Sequence, residues 1–119
     1  MTGFQNKPKL KFICKNDNGN KIYKLKEEII YKNLEIKVVI ARNFETDGAT
    51  IPYPLNKIMK ADDKRYLSCA ILHDFLYHVK YDRKRSDYLF LESMKSELVP
   101  LHIRTVFFLA VRLFGHKYY

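Results

Sequence analysis

Residues 43–54, NFETDGATIPYP, separate two stretches of different hydrophobic period, and that break constrains the fold more than any other feature. Asp47-Gly48, Pro52 and Pro54 favour turns and interrupt both helix and strand. Before the break, Leu10, Phe12 and Cys14 alternate with lysines and Ile13, and the turn cluster NDNGN at 16–20 predicts a hairpin whose return strand holds Ile22, Tyr23 and Leu25. Ile29–Tyr31 and Leu34–Ile40 predict a second hairpin around Lys32-Asn33, with the β-branched run IKVVIA in its second arm. Beyond the break the pattern is helical. Asp62 or Asp63 can cap a helix running to about Lys80, Asp82 or Ser86 a second ending near Leu98, and Pro100 and Gly115 bracket a third. The expected class is α+β: a small N-terminal antiparallel sheet over about 9–42, a structured loop over 43–56, and three packed α-helices within 62–115, in a single domain spanning 1–119.

The composition is that of a globular chain, 47% hydrophobic and 29% charged, which excludes disordered and collagen-like classes. A net charge of +9 favours an anionic partner. Cys14 and Cys69 lie far apart, as expected of free, buried thiols in a reducing cytoplasm. The N-terminal MTGFQNKPKLKF has no apolar signal stretch, and no run approaches the length of a membrane span.

Within the apolar run from Tyr66 to Tyr77, only Ser68, His73 and Asp74 are polar. Helical spacing puts His73 on one face with Tyr66, Ala70 and Tyr77. Burying a carboxylate costs several kcal/mol unless it is paired, hydrogen-bonded or metal-bound, so Asp74 needs a partner: a cation from a Lys or Arg, or a metal. On the second helix the apolar stripe Leu91, Met94, Leu98, extended backwards, reaches Asp87. With Asp82 as cap, Asp87 falls in the second turn, where the helix dipole explains it poorly. A carboxylate facing inward there can meet the His73 imidazole and fix its tautomer. In the loop, Asp47 and Gly48 suit an Asx-turn with a positive φ, or carbonyls and a carboxylate aimed at a cation.

The ordered set FETDGATIP, AILHDFLYH, RSDYLF and AVRLFG resembles the phage and prophage family called domain of unknown function 1353. The matching positions are Thr46, Asp47, Gly48, Ile51, Pro52, His73, Asp74, Tyr77, Asp87, Arg112 and Gly115, with Thr50 where the family usually has Ser. The resemblance implies a phage origin and no particular activity. His73-Asp74-x-x-Tyr77 is also similar to the H-D-x-x-Y helix of secreted phospholipases A2. There the His activates a water, the adjacent Asp holds calcium and a distant Asp orients the His. This chain lacks their disulfide framework and glycine-rich calcium loop, so the similarity concerns chemistry and not descent.

Three functions fit. The first is a hydrolase with His73, Asp87 and Tyr77 catalytic, Asp74 and Asp47 holding a divalent cation (calcium or zinc), and Thr46, Gly48, Thr50 and Arg112 as binding and loop residues. Its substrate would be an anionic envelope component, phospholipid or peptidoglycan, and its place the cytoplasm of the bacterial host or the virion. The second is a non-catalytic virion, tail or host-interaction protein with a structural His-Asp network. The third, less favoured, is nucleic-acid binding through Tyr81, Arg83, Lys84 and Arg85. The helix from Pro100 to Phe114, apolar on most sides, is expected at the centre of the core, with Phe108 left exposed and Arg112 emerging near Asp74 or Asp87.

Overall fold

Positive φ at Gly19 (81°) lets the first hairpin turn back on itself, with the Gly19 amide bonded to the Asn16 carbonyl at 2.9 Å. A computed structural model describes residues 2–17, 19, 21–46, 64–117 and 119 of the chain. The loop residues Asp47, Gly48, Thr50, Ile51 and Pro52 and the expected caps Asp62 and Asp63 lie outside the described residues.

The architecture is α+β, but the strands form two small antiparallel sheets. One, β1-β4-β5, comprises Gly3–Phe4, Ile29–Lys32 and Lys37–Ile40; the other, β2-β3-β6, comprises Leu10–Lys15, Lys21–Leu25 and Glu45–Thr46. In the β4–β5 hairpin Ile29 faces Ile40 and Tyr31 faces Val38. All four are buried, while Val39 between them is exposed, the alternation of a sheet with one wet face. The β2–β3 hairpin carries a register shift between Phe12 and Cys14, and β2 is mostly exposed. The two-residue strands β1 and β6 fall outside the strands expected over 9–42.

Three helices follow: α1 (Lys64–His78), α2 (Arg83–Ser96) and α3 (Leu101–Phe114), the last running into a 3-10 turn at Gly115–Lys117. Asp82 caps α2, accepting from the Arg85 amide at 3.0 Å; Ser86 instead lies inside the helix, its hydroxyl donating to the Asp82 carbonyl at 2.9 Å. α1 and α2 end in the same device. Lys80 and Leu98 take left-handed φ of 61° and 60°, and the next amides, Tyr81 and Val99, reach back to the carbonyls of Leu76 and Met94 at 2.9 Å each.

The central helix is α1, not α3. No residue from Tyr66 to Tyr77 is exposed. One side of α1 packs Ile71, Leu72 and Leu76 on Leu25, Ile29, Tyr31 and Ile40 of the sheets; another packs Tyr66 and Cys69 on Phe90, Met94 and Phe107. α3 buries only Phe107 and lies outermost. Its apolar length led to the opposite expectation, but α1 can occupy the centre because its polar groups find partners there. Phe108 is correspondingly half-buried, its ring 5.1 Å from that of Tyr88. Both cysteines are free; Cys69 is buried, its thiol pushed up to about 12 by burial, whereas Cys14 is exposed.

Candidate active site

The short connection between α1 and α2 folds them into a hairpin, so residues equally far from the turn face each other. His73, near the end of α1, thereby meets Asp87, in the second turn of α2. Their contact, Nε2 to Oδ1, is 2.7 Å. The Tyr77 hydroxyl, one turn along α1, donates to the same Oδ1 at 2.6 Å. Arg112, in the last turn of α3, donates from Nη1 to Oδ2 at 2.7 Å. Asp87, on α2, is completely buried, and its side-chain donors come from the other two helices, α1 and α3.

Such a carboxylate is tolerable only because its charge is compensated. Burial pushes its pKa up, but the hydrogen bonds from His73, Tyr77 and Arg112 outweigh burial and hold it below the usual carboxylate value. Burial and the adjacent carboxylate push the Tyr77 phenol well up, so it remains a donor. The imidazole is clamped from both sides, with ring centroids 4.2 Å from Tyr77 and 4.7 Å from Phe90. Its side chain is 13% exposed, and the contact with Asp87 leaves Nδ1 as the nitrogen it does not use.

Two supporting residues act through contacts that the sequence reading did not assign them. Arg83 donates from Nη2 to the carbonyls of Val111 (2.9 Å) and Arg112 (2.8 Å), closing the C-terminal end of α3 and fixing where Arg112 starts. Arg83 is therefore engaged inside the fold, which leaves Lys84 and Arg85 as the exposed cations of that cluster. Gly115 does not end α3 through a positive φ; its φ is −63° and the chain winds on. A Cβ there would lie 2.6 Å from the Tyr77 hydroxyl oxygen. Glycine is required because the phenol that reaches Asp87 passes against the backbone.

Asp74 occupies a different environment. It is half-buried and lines an open depression with Ile22, Glu45 and Thr46. Burial raises its pKa, opposed by a hydrogen bond from Thr46 and by the nearby His73 and His78. Thr46, the last described residue before the 47–63 segment, thus joins Asp74, while Arg112 goes to Asp87. Among the described residues, no three His, Cys, Asp or Glu side chains are grouped to share a metal ion.

A family model described as "Protein of unknown function (DUF1353)" matches residues 23–111, from the second strand of the first hairpin almost to Arg112. No curated protein and no solved structure matches the chain.

Proposed function

The chain belongs to the DUF1353 family of proteins of unknown function, and we propose that it is a small phage-borne hydrolase in which His73 is the general base. The observation that supports this reading is the His73–Asp87 contact at 2.7 Å with Asp87 wholly buried. A buried carboxylate accepting from Nε2–H fixes one tautomer and leaves Nδ1 with its lone pair. Nδ1 takes a proton from water as the water attacks an ester or amide carbonyl, Asp87 stabilises the imidazolium that forms, and Nδ1–H returns the proton to the alcohol or amine that leaves as the C–O or C–N bond breaks. Arg112 tempers that stabilisation, because it already neutralises much of the Asp87 charge. Tyr77 holds both the carboxylate and one face of the ring. Asp74, on the neighbouring face, positions the water or holds a divalent cation, calcium or zinc, as a pair with Asp47. The substrate is an envelope component, phospholipid or peptidoglycan, and the protein acts in the bacterial host cytoplasm or on the virion.

The test is hydrolysis of phosphatidylglycerol vesicles and of peptidoglycan by the wild type and His73→Gln, with and without calcium or zinc. Product release that falls by about a hundredfold or more in His73→Gln, with folding retained, supports the base. Activity that survives the substitution, or no product from either substrate, contradicts it. Cation binding at Asp74 has its own readout: a metal that binds only the native state raises the melting temperature of the wild type and not of Asp74→Asn.

A second reading draws on the completeness of the Asp87 shell. Both carboxylate oxygens are occupied by side chains from α1 and α3. In a non-catalytic virion or host-interaction protein the same cluster would serve as a polar clamp on the three helices. His73→Gln would then alter stability and nothing else.

A further inference from the structure

A helix that packs by one face ordinarily carries polar residues on the other. α3 does not. Its inward side is set by Phe107, whose ring lies 5.4 Å from Tyr66 and 6.1 Å from Phe90. Half a turn round the helix, Leu109 and Leu113 are 51% and 64% exposed, with Val106 beside them. At the entrance to α3, Leu98 is 80% exposed while holding a φ of 60°. That position in a helix-ending turn favours glycine, because a side chain there strains the backbone. An exposed leucine in a strained turn gains little packing among the described residues to offset the cost.

The charges around this face are mainly cationic, with Glu97, next to Leu98, as an acid at its edge. Residues 98–119 contain no Asp or Glu. α2 borders α3 through the Tyr88–Phe108 ring contact at 5.1 Å, and Lys84, Arg85 and Lys95, at helical spacing from Tyr88, are exposed. An apolar face with a mainly cationic border complements a layer that is apolar beneath an anionic surface. A second copy of the chain complements it poorly, because two-fold pairing through α3 sets like-charged borders against each other.

We infer that the outward face of α3, with Leu98 and the α2 cations, is a docking surface for an anionic phospholipid membrane. The helix lies in the headgroup plane and does not cross, since among the described residues no helix is long and apolar enough to do so. The docking does not rest on the hydrolytic reading: a non-catalytic protein would use it equally. Should both hold, Arg112, partly exposed and bonded to Asp87, links the lipid-facing helix to the site.

The test is sedimentation of the full chain with vesicles of phosphatidylcholine alone and of equal parts phosphatidylcholine and phosphatidylglycerol, at low and high salt. It reads binding and not turnover, so its failure is distinct from failure of the hydrolase. The wild type is expected to sediment with the anionic vesicles, less so at high salt. Leu109→Gln with Leu113→Gln should weaken that binding by at least about tenfold, because several buried CH₂ groups are lost. If that pair failed to fold, Leu98→Gly serves instead: it removes an exposed apolar group while relieving the turn, so binding should fall as the melting temperature rises. Equal binding to both vesicle types, or binding untouched by these variants, overturns the inference. So does a dimer seen by light scattering that the glutamine pair dissociates, which would give the face to a second copy.

Discussion

Asp87 and Asp74 come from adjacent helices, and both have His73 as a neighbour, yet the fold treats them in opposite ways. Asp87 is buried completely and receives three side-chain donors, among them a guanidinium. Asp74 is half-buried, has Thr46 as its described donor, and opens onto a depression. The donors around Asp87 keep it ionised; burial pushes Asp74 towards its neutral form. The difference teaches that burial alone does not decide what a carboxylate can do. Compensated, it is a fixed charge that holds other groups in place; under-compensated beside an opening, it is a group whose protonation or ligation still has free energy to gain.

The comparison can be broken most severely at Asp87. Asp87→Ala strands Arg112, His73 and Tyr77 together, and denaturant melts should show a loss of about 3–5 kcal/mol. A loss below about 1 kcal/mol would mean that the cluster does not hold the helices together. Arg112→Ala, which removes one partly exposed charged donor, should cost about 1.5–3 kcal/mol. Gly115→Ala forces a Cβ against the Tyr77 hydroxyl and should cost about 1–3 kcal/mol. In a Tyr77→Phe background that cost should shrink, because the clashing oxygen is gone; equal costs in both backgrounds would show that the glycine answers to something else. Asp74→Asn is the smallest effect and has the opposite sign, leaving stability at pH 7 unchanged or raised by up to about 1 kcal/mol.

The pH dependence follows the same division. The folded-state pKa of Asp87 lies below its unfolded value, so its contribution is present above the ordinary carboxylate pKa, about 3.9, and is lost as pH falls through the folded value. The folded-state pKa of Asp74 lies above its unfolded value, so its ionised form costs stability at neutral pH. That cost is relieved as pH falls through the raised pKa towards the unfolded one. Relative to Asp74→Asn, the wild type should therefore gain stability on mild acidification, before the Asp87 contribution collapses at lower pH. Parallel pH profiles for the two proteins would contradict the assignment to Asp74.

Much of the Asp87 cluster was legible in the sequence, because helical spacing is a long-range ruler. The stripe through Leu91 and Met94 pointed Asp87 inward, and the same reasoning on α1 pointed His73 to meet it. The polar stripe of α3 likewise placed Arg112 near an acid. What periodicity could not reveal was which neighbour covers a helix. α3 was expected at the centre on apolar content, yet α1, with three polar residues between Tyr66 and Tyr77, holds that place, with His73 bonded to Asp87 and Asp74 to Thr46. The strands β1 and β6 are too short to carry a period and owe their existence to pairing with β4 and β3. Gly115 and Arg83 work through a close approach and through two carbonyls of another helix, contacts that local sequence does not encode.

In the proposed hydrolase, Asp87 fixes the tautomer of His73 with the proton on Nε2, leaving Nδ1 to act as a base. A long-range ¹H–¹⁵N correlation spectrum of labelled protein, recorded where the imidazole is neutral, reads that tautomer directly. The expected result is a protonated Nε2 and a bare Nδ1, and a ring that loses this preference in Asp87→Asn. A proton found on Nδ1 in the wild type, or a tautomer mixture indifferent to Asp87→Asn, would contradict it.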